Sequence, residues 1–143
     1  MANNWFDSGR KYQLDGNLKP SADTIRACLL KDTYTPNLAT HSHLNDLGTN
    51  RVGTDQTLGS ITTTAGTLNA ATAAFSAVPG GSLAKYIALY KLVGDGSPTD
   101  VTSPLLMLFD TILGFPVATS GATISIAWNV APITGLAGDV FRV

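Results

Sequence analysis

The hydrophobic pattern is organised around the stretch from Ser82 to Asp110, SLAKYIALYKLVGDGSPTDVTSPLLMLFD. Two apolar runs, Leu83 to Val93 and Pro104 to Phe109, flank the polar insert GDGSPTD. Their Tyr, Ile, Leu and Phe suit a pleated surface. The insert collects Gly94, Asp95, Gly96 and Pro98, which favour turns through positive φ, side-chain-to-backbone bonding and fixed φ. The pattern predicts two antiparallel strands joined by a loop. In the first, Tyr86, Ala88 and Tyr90 share one face, with Lys85, Ile87 and Leu89 opposite. Apolar residues on both faces predict an interior strand covered on both sides. In the second, Leu105, Met107 and Phe109 alternate with Leu106, Leu108 and Asp110.

The remaining pattern is of the same kind. In ADTIRACLLK (22–31), Ile25, Ala27 and Leu29 alternate with Thr24, Arg26 and Cys28, which predicts another strand. Pro36 and Asn37 make 32–40 a loop. HSHLNDL (41–47) fits one helical turn, with Ser42 as N-cap and Leu44 and Leu47 on one face. Residues 51–78 are Thr-rich and punctuated by Gly53, Gly59 and Gly66, so they predict short strands. Across 69–77 the Ala residues favour helix, but Thr72, Phe75 and Val78 draw the segment to strand. Turns are expected at 78–82 and around Gly114 and Pro116. ATISIAWN (122–129) has the clearest two-residue period, with Ile124, Ile126 and Trp128 inward. A loop over 130–139 then leads to a closing strand at 140–143.

At the other end, Gly9 and Gly16 each cost about 1 kcal/mol in a helix, which argues against a long one. Tyr12 and Leu14 alternate with Lys11, Gln13 and Asp15, so a short strand is expected. Trp5 and Phe6 stand in a polar terminus, where two large aromatics must pin the segment to this domain or to a neighbouring chain. The sum is an all-β protein, a jelly-roll-like antiparallel β-sandwich of roughly eight short strands. Residues 21–143 form its single domain, and residues 1–20 an extended N-terminal arm with a first strand. Trp128 and Phe109 are expected to anchor the core.

Composition narrows the function. Charged residues are only 13% of the 143, against roughly 25% in an average soluble domain. A surface rich in Thr, Ser and Gly but poor in charge fits a chain that lies against other protein. The net charge is −1, and the only adjacent basic pair is Arg10-Lys11. Nucleic-acid binding and polybasic membrane anchoring both need clustered positive charge, so neither is expected. No run approaches the length of a membrane span, and the N-terminus lacks the apolar core of a signal peptide, which predicts synthesis and folding in the host cytoplasm. Cys28 stands alone, so no intrachain disulfide forms, and a buried thiol is expected. His41-x-His43 lacks further ligands at readable spacing, and Gly80-Gly81 lacks the pattern of a phosphate loop. No metal, cofactor or nucleophile-base-acid set is readable, so an enzyme is not expected.

Three segments, in order and with similar gaps, carry a family resemblance. They are DTIRACLLKDTYTPNLATHSHLNDL, AKYIALYKLVGD and SPLLMLFDTILGFPVATSGATISIAWN. Together they resemble small virion proteins of tailed bacteriophages, over most of residues 22–143. The family often carries Gly-Tyr and Gly-Gly after the His/Leu turn, where this chain reads GTDQTLGSITTT. The resemblance implies a capsid cement or decoration protein at the virion surface. Its implied partners are the major capsid protein and its own copies, as a homodimer or homotrimer. Trp5, Phe6, Tyr12 and Tyr34 are the candidate interface residues. The alternatives are another virion part, such as a tail or head–tail connector subunit, and a carbohydrate-binding jelly roll using Trp128-Asn129.

Overall fold

The structure, a computed structural model, describes residues 3–64, 67–128 and 139–142. In chain order the elements are β1 (Asn4–Trp5), α1 (Asp7–Leu14), β2 (Ile25–Lys31), a 3₁₀ segment (Leu44–Asn50), β3 (Arg51–Thr57), β4 (Thr62–Thr64), β5 (Thr67–Asn69), β6 (Ala73–Phe75), β7 (Leu83–Lys91), β8 (Leu105–Phe109), β9 (Val117–Ala118), β10 (Ile124–Ile126) and β11 (Asp139–Arg142). The main antiparallel sheet has the order β1-β8-β7-β2-β3, with β9 beside the start of β7. Two small sheets, β10-β6 and β11-β5-β4, complete an all-β sandwich.

The two-residue period decides which side chain faces which layer. Ile25, Ala27 and Leu29 of β2 and Ile87 and Leu89 of β7 point toward the small sheets. There they meet Leu68, Phe75, Ile126 and Trp128. Phe109 and Trp128 pack with ring centroids 5.8 Å apart, as core anchors should. Cys28 and Leu30 of β2 and Tyr86, Ala88 and Tyr90 of β7 point the other way. They are covered by Phe6, Tyr34, Leu44 and Leu47. Strand β7 is therefore interior and buried on both faces, as its composition predicts. A fully buried Ile or Leu contributes about 1.5–3 kcal/mol relative to an exposed one, so both layers stabilise the sheet.

Three expectations are corrected. First, residues 7–14 are helix, not strand, and the N-terminal segment is folded onto the body rather than extended. β1 pairs with β8, and the Phe6 amide donates to the Leu106 carbonyl at 3.0 Å. Gly9, which argues against a long helix, is what lets this eight-residue helix dock. A Cβ there would lie 2.6 Å from Leu106 Cα and 2.8 Å from its carbonyl carbon. Burial against β8 thus overrides the local helix penalty of glycine. Gly16, with φ +73°, closes the helix, and the Gly16 and Asn17 amides donate to the Gln13 and Tyr12 carbonyls.

Second, Leu105 does not share a face with Met107 and Phe109. Tyr90 pairs with Leu105 but Leu89 pairs with Met107, so Leu106 is an extra residue. This bulge turns Leu105 toward Phe6 and Leu106 toward the small-sheet layer. Third, the short helical segment begins after His43 rather than after Ser42, and Asp46 binds the start of it. Asp46 Oδ2 accepts from the Ser42 and His43 amides at 2.7 and 3.0 Å. Leu44 and Leu47 are buried together, as their spacing predicts. Of the loop expected over 130–139, residues 130–138 lie outside the described residues, as does Asn129, and Asp139 begins β11.

Candidate functional site

The four candidate interface residues are split between core and surface. Phe6 is 0% exposed, beneath α1. Tyr34 is 3% exposed, meets Tyr86 edge-on, and hydrogen bonds through its hydroxyl to His41 Nδ1 at 2.7 Å. Trp5 and Tyr12 are half-buried. Trp5 packs its ring against the small-sheet layer from the edge strand β1. Tyr12 sits on α1 with the Lys91 ammonium 5.4 Å from its ring centre. Lys91 is itself fixed by Asp23 at 3.1 Å and by the Asn17 carbonyl at 2.9 Å.

The residues that join Trp5 at the surface are Arg10, Gln13 and Leu14, which line one shallow hollow with it. Leu14 is 87% exposed, the most exposed of the large apolar side chains among the described residues. Arg10 is held over this edge by Asp7 at 3.6 Å and by Asn4 Oδ1 at 2.9 Å. The hollow is created by helix geometry. A strand would place Leu14 on the face of Tyr12, whereas the helix turns Arg10, Gln13 and Leu14 to one side, at i, i+3 and i+4. The strand reading of 11–15 therefore missed Leu14, and the i, i+3, i+4 spacing was the signal that would have found it.

The surface beside α1 is built by hydrogen-bonded irregular segments. The 94–103 loop is organised by Asp100. Its Oδ1 accepts from the Thr102 amide, the Thr102 hydroxyl and the Ser103 amide at 2.8, 2.8 and 3.1 Å. Its Oδ2 accepts from the Gly96 amide and the Ser103 hydroxyl at 2.9 and 2.7 Å. Burial alone would raise the Asp100 carboxyl, but the bonds from Ser103, Thr102 and Gly96 outweigh it and hold the group well below the usual carboxylate range. The loop backbone then receives the 3₁₀ segment. The Asn45 amide donates to the Asp100 carbonyl and the Leu44 amide to the Ser103 carbonyl, both at 3.0 Å.

Neither histidine joins a metal set. His41 bonds Tyr34, His43 Nδ1 lies 2.9 Å from Ser42 Oγ, and among the described residues no cluster of three or more His, Cys, Asp or Glu side chains could hold a metal ion. Cys28 is buried, and burial pushes its thiol well above the ordinary range. No helix among the described residues is long and apolar enough to cross a membrane. No family model, curated protein or solved structure matches the chain. The three segments that carry the sequence resemblance supply β2, β7 and β8, which are adjacent in the main sheet, and β10.

Proposed function

We propose that this chain is a capsid cement protein, which binds the outer surface of a major capsid protein shell and its own neighbouring copies. The observation that carries the reading is the hollow of Trp5, Arg10, Gln13 and Leu14, with its exposed leucine on a short docked helix. Leucine at 87% exposure beside an aromatic on an edge strand suits burial by another chain. The low charge of the sequence supports the same reading, because few ions need desolvating when broad surfaces meet. The order of the three resembling segments supports it as well. The role asks for no chemistry from the chain; it asks for a stiff body and a sticky edge.

The deciding experiment compares wild type with Leu14→Gln for occupancy on purified capsids. Glutamine keeps helix propensity and removes the apolar contact. Reduced occupancy at unchanged melting temperature supports the proposal, and unchanged occupancy contradicts it.

A further inference from the structure

A second site lies at the other end of the main sheet, on edge strand β3. Ala27 pairs with Gln56 while Leu29 pairs with Val52, so β3 bulges outward between these pairs. Gly53 supports the bulge at φ +72°. Bulges re-aim side chains, and this one brings Asp55, in the bulge, under Tyr90. Asp55 is 6% exposed, and its Oδ2 accepts the Tyr90 hydroxyl at 2.7 Å. The same oxygen pairs with Arg51 Nη2. Arg51 Nη2 also donates to the Gly96 carbonyl at 2.9 Å. From β2, Arg26 Nη2 donates to the Asp55 carbonyl at 2.9 Å.

These groups line a cleft of about 450 Å³. Among the described residues its charged lining is two guanidinium groups, Arg26 and Arg51, and one carboxylate, Asp55, which leaves one positive charge in excess. The nearby Asp100 carboxylate is already bound to Gly96, Thr102 and Ser103. Two enclosed donors, Arg26 Nε and Arg51 Nη1, have no acceptor among the described residues. An enclosed charged donor without an acceptor is costly, because it has lost its hydration with no bond in exchange. Guanidinium donors suit a carboxylate, which has acceptor oxygens enough to take bonds from more than one of them.

We infer that the Arg26–Arg51 cleft is a binding site for a single carboxylate, presented as an acidic side chain by an adjoining protein chain. Carboxylate recognition stands on the cleft alone. Its source in an adjoining chain rests on the cement reading. Arg26 is the specificity residue to test, because its side chain bonds, among the described residues, a main-chain carbonyl of Asp55, whereas Arg51 holds the buried carboxylate itself.

The test is titration of the purified protein with glutarate, read as amide shifts of Gly53, Thr54 and Gly96 by NMR. Inorganic phosphate serves as the competing anion. Saturable shifts that weaken with added salt, and about tenfold weaker binding in Arg26→Gln, are expected. Circular dichroism and the melting temperature of Arg26→Gln verify that the variant is folded. Tighter binding of phosphate than glutarate would overturn carboxylate selectivity, and no shift with either anion would overturn the site. The adjoining-chain source is read separately, from capsid occupancy of Arg26→Gln. Normal occupancy with lost glutarate binding would leave a small-molecule site and reject the partner side chain.

Discussion

The two faces of the main sheet are closed by different means. Toward the small sheets the lid is short strand, and the buried cluster is aliphatic or aromatic with no tyrosine. Toward α1 the lid is a helix, a loop and a 3₁₀ segment, and the cluster contains Tyr34, Tyr86, Tyr90 and Cys28. Strands satisfy their own backbone groups through ladders, so the first lid needs only apolar packing. Irregular segments leave amides and carbonyls to be satisfied by side chains. Asp46 and Asp100 do this on the second face, and the tyrosine hydroxyls reach His41 and Asp55. The first face is therefore held mainly by area and the second by specific acceptors.

The largest expected effect tests the first face. Phe75→Ala removes a ring that is 1% exposed and should cost about 3–5 kcal/mol, read by urea denaturation, with the acid sensitivity of the fold unchanged. Next is Asp100→Asn, which weakens a carboxylate with five donors and should cost about 3 kcal/mol at neutral pH. Because the folded carboxyl lies below its ordinary value, its stabilisation is complete above the ordinary carboxylate range, about pH 4, and is lost as pH falls toward the folded value. Wild type should thus lose stability on acidification more steeply than Asp100→Asn. Parallel curves would show that the second face does not depend on this acceptor.

Gly9→Ala is a smaller test of the same lid. The added methyl meets the Leu106 backbone, which cannot rotate away, so α1 must shift at a cost of about 2 kcal/mol. Thermal melting with the loss of protection of the Phe6 amide, followed by hydrogen exchange, reads this. The smallest effect on stability belongs to Leu14→Gln, within about 0.5 kcal/mol by chemical denaturation, because the side chain is exposed. A larger loss would mean that Leu14 serves the fold rather than a partner.

What was legible in the sequence follows the same division. The faces of β2 and β7 could be read because each keeps an unbroken two-residue period from Ile25 to Leu29 and from Tyr86 to Tyr90. Ile126 and Trp128 were readable for the same reason. The helix at 7–14 was hidden because Gly9 is unfavourable locally and becomes favourable only against the Leu106 backbone, nearly a hundred residues away. Leu105 was misplaced by one extra residue in β8, and the period of a strand cannot announce its own bulge. Asp55 was hidden by the bulge of β3, although Gly53 two residues earlier marked the place. For the candidate interface, two aromatics named from sequence, Phe6 and Tyr34, are used inside the fold, and Leu14 was seen only once the helix was known.

Quantitative mass spectrometry of purified virus particles, with the shell subunit as internal reference, tests the cement role most directly. The account predicts this chain in abundant, fixed ratio to the shell subunit, and a lower ratio in particles supplied with Leu14→Gln. A protein that remains a free monomer and is missing from the particles would contradict it.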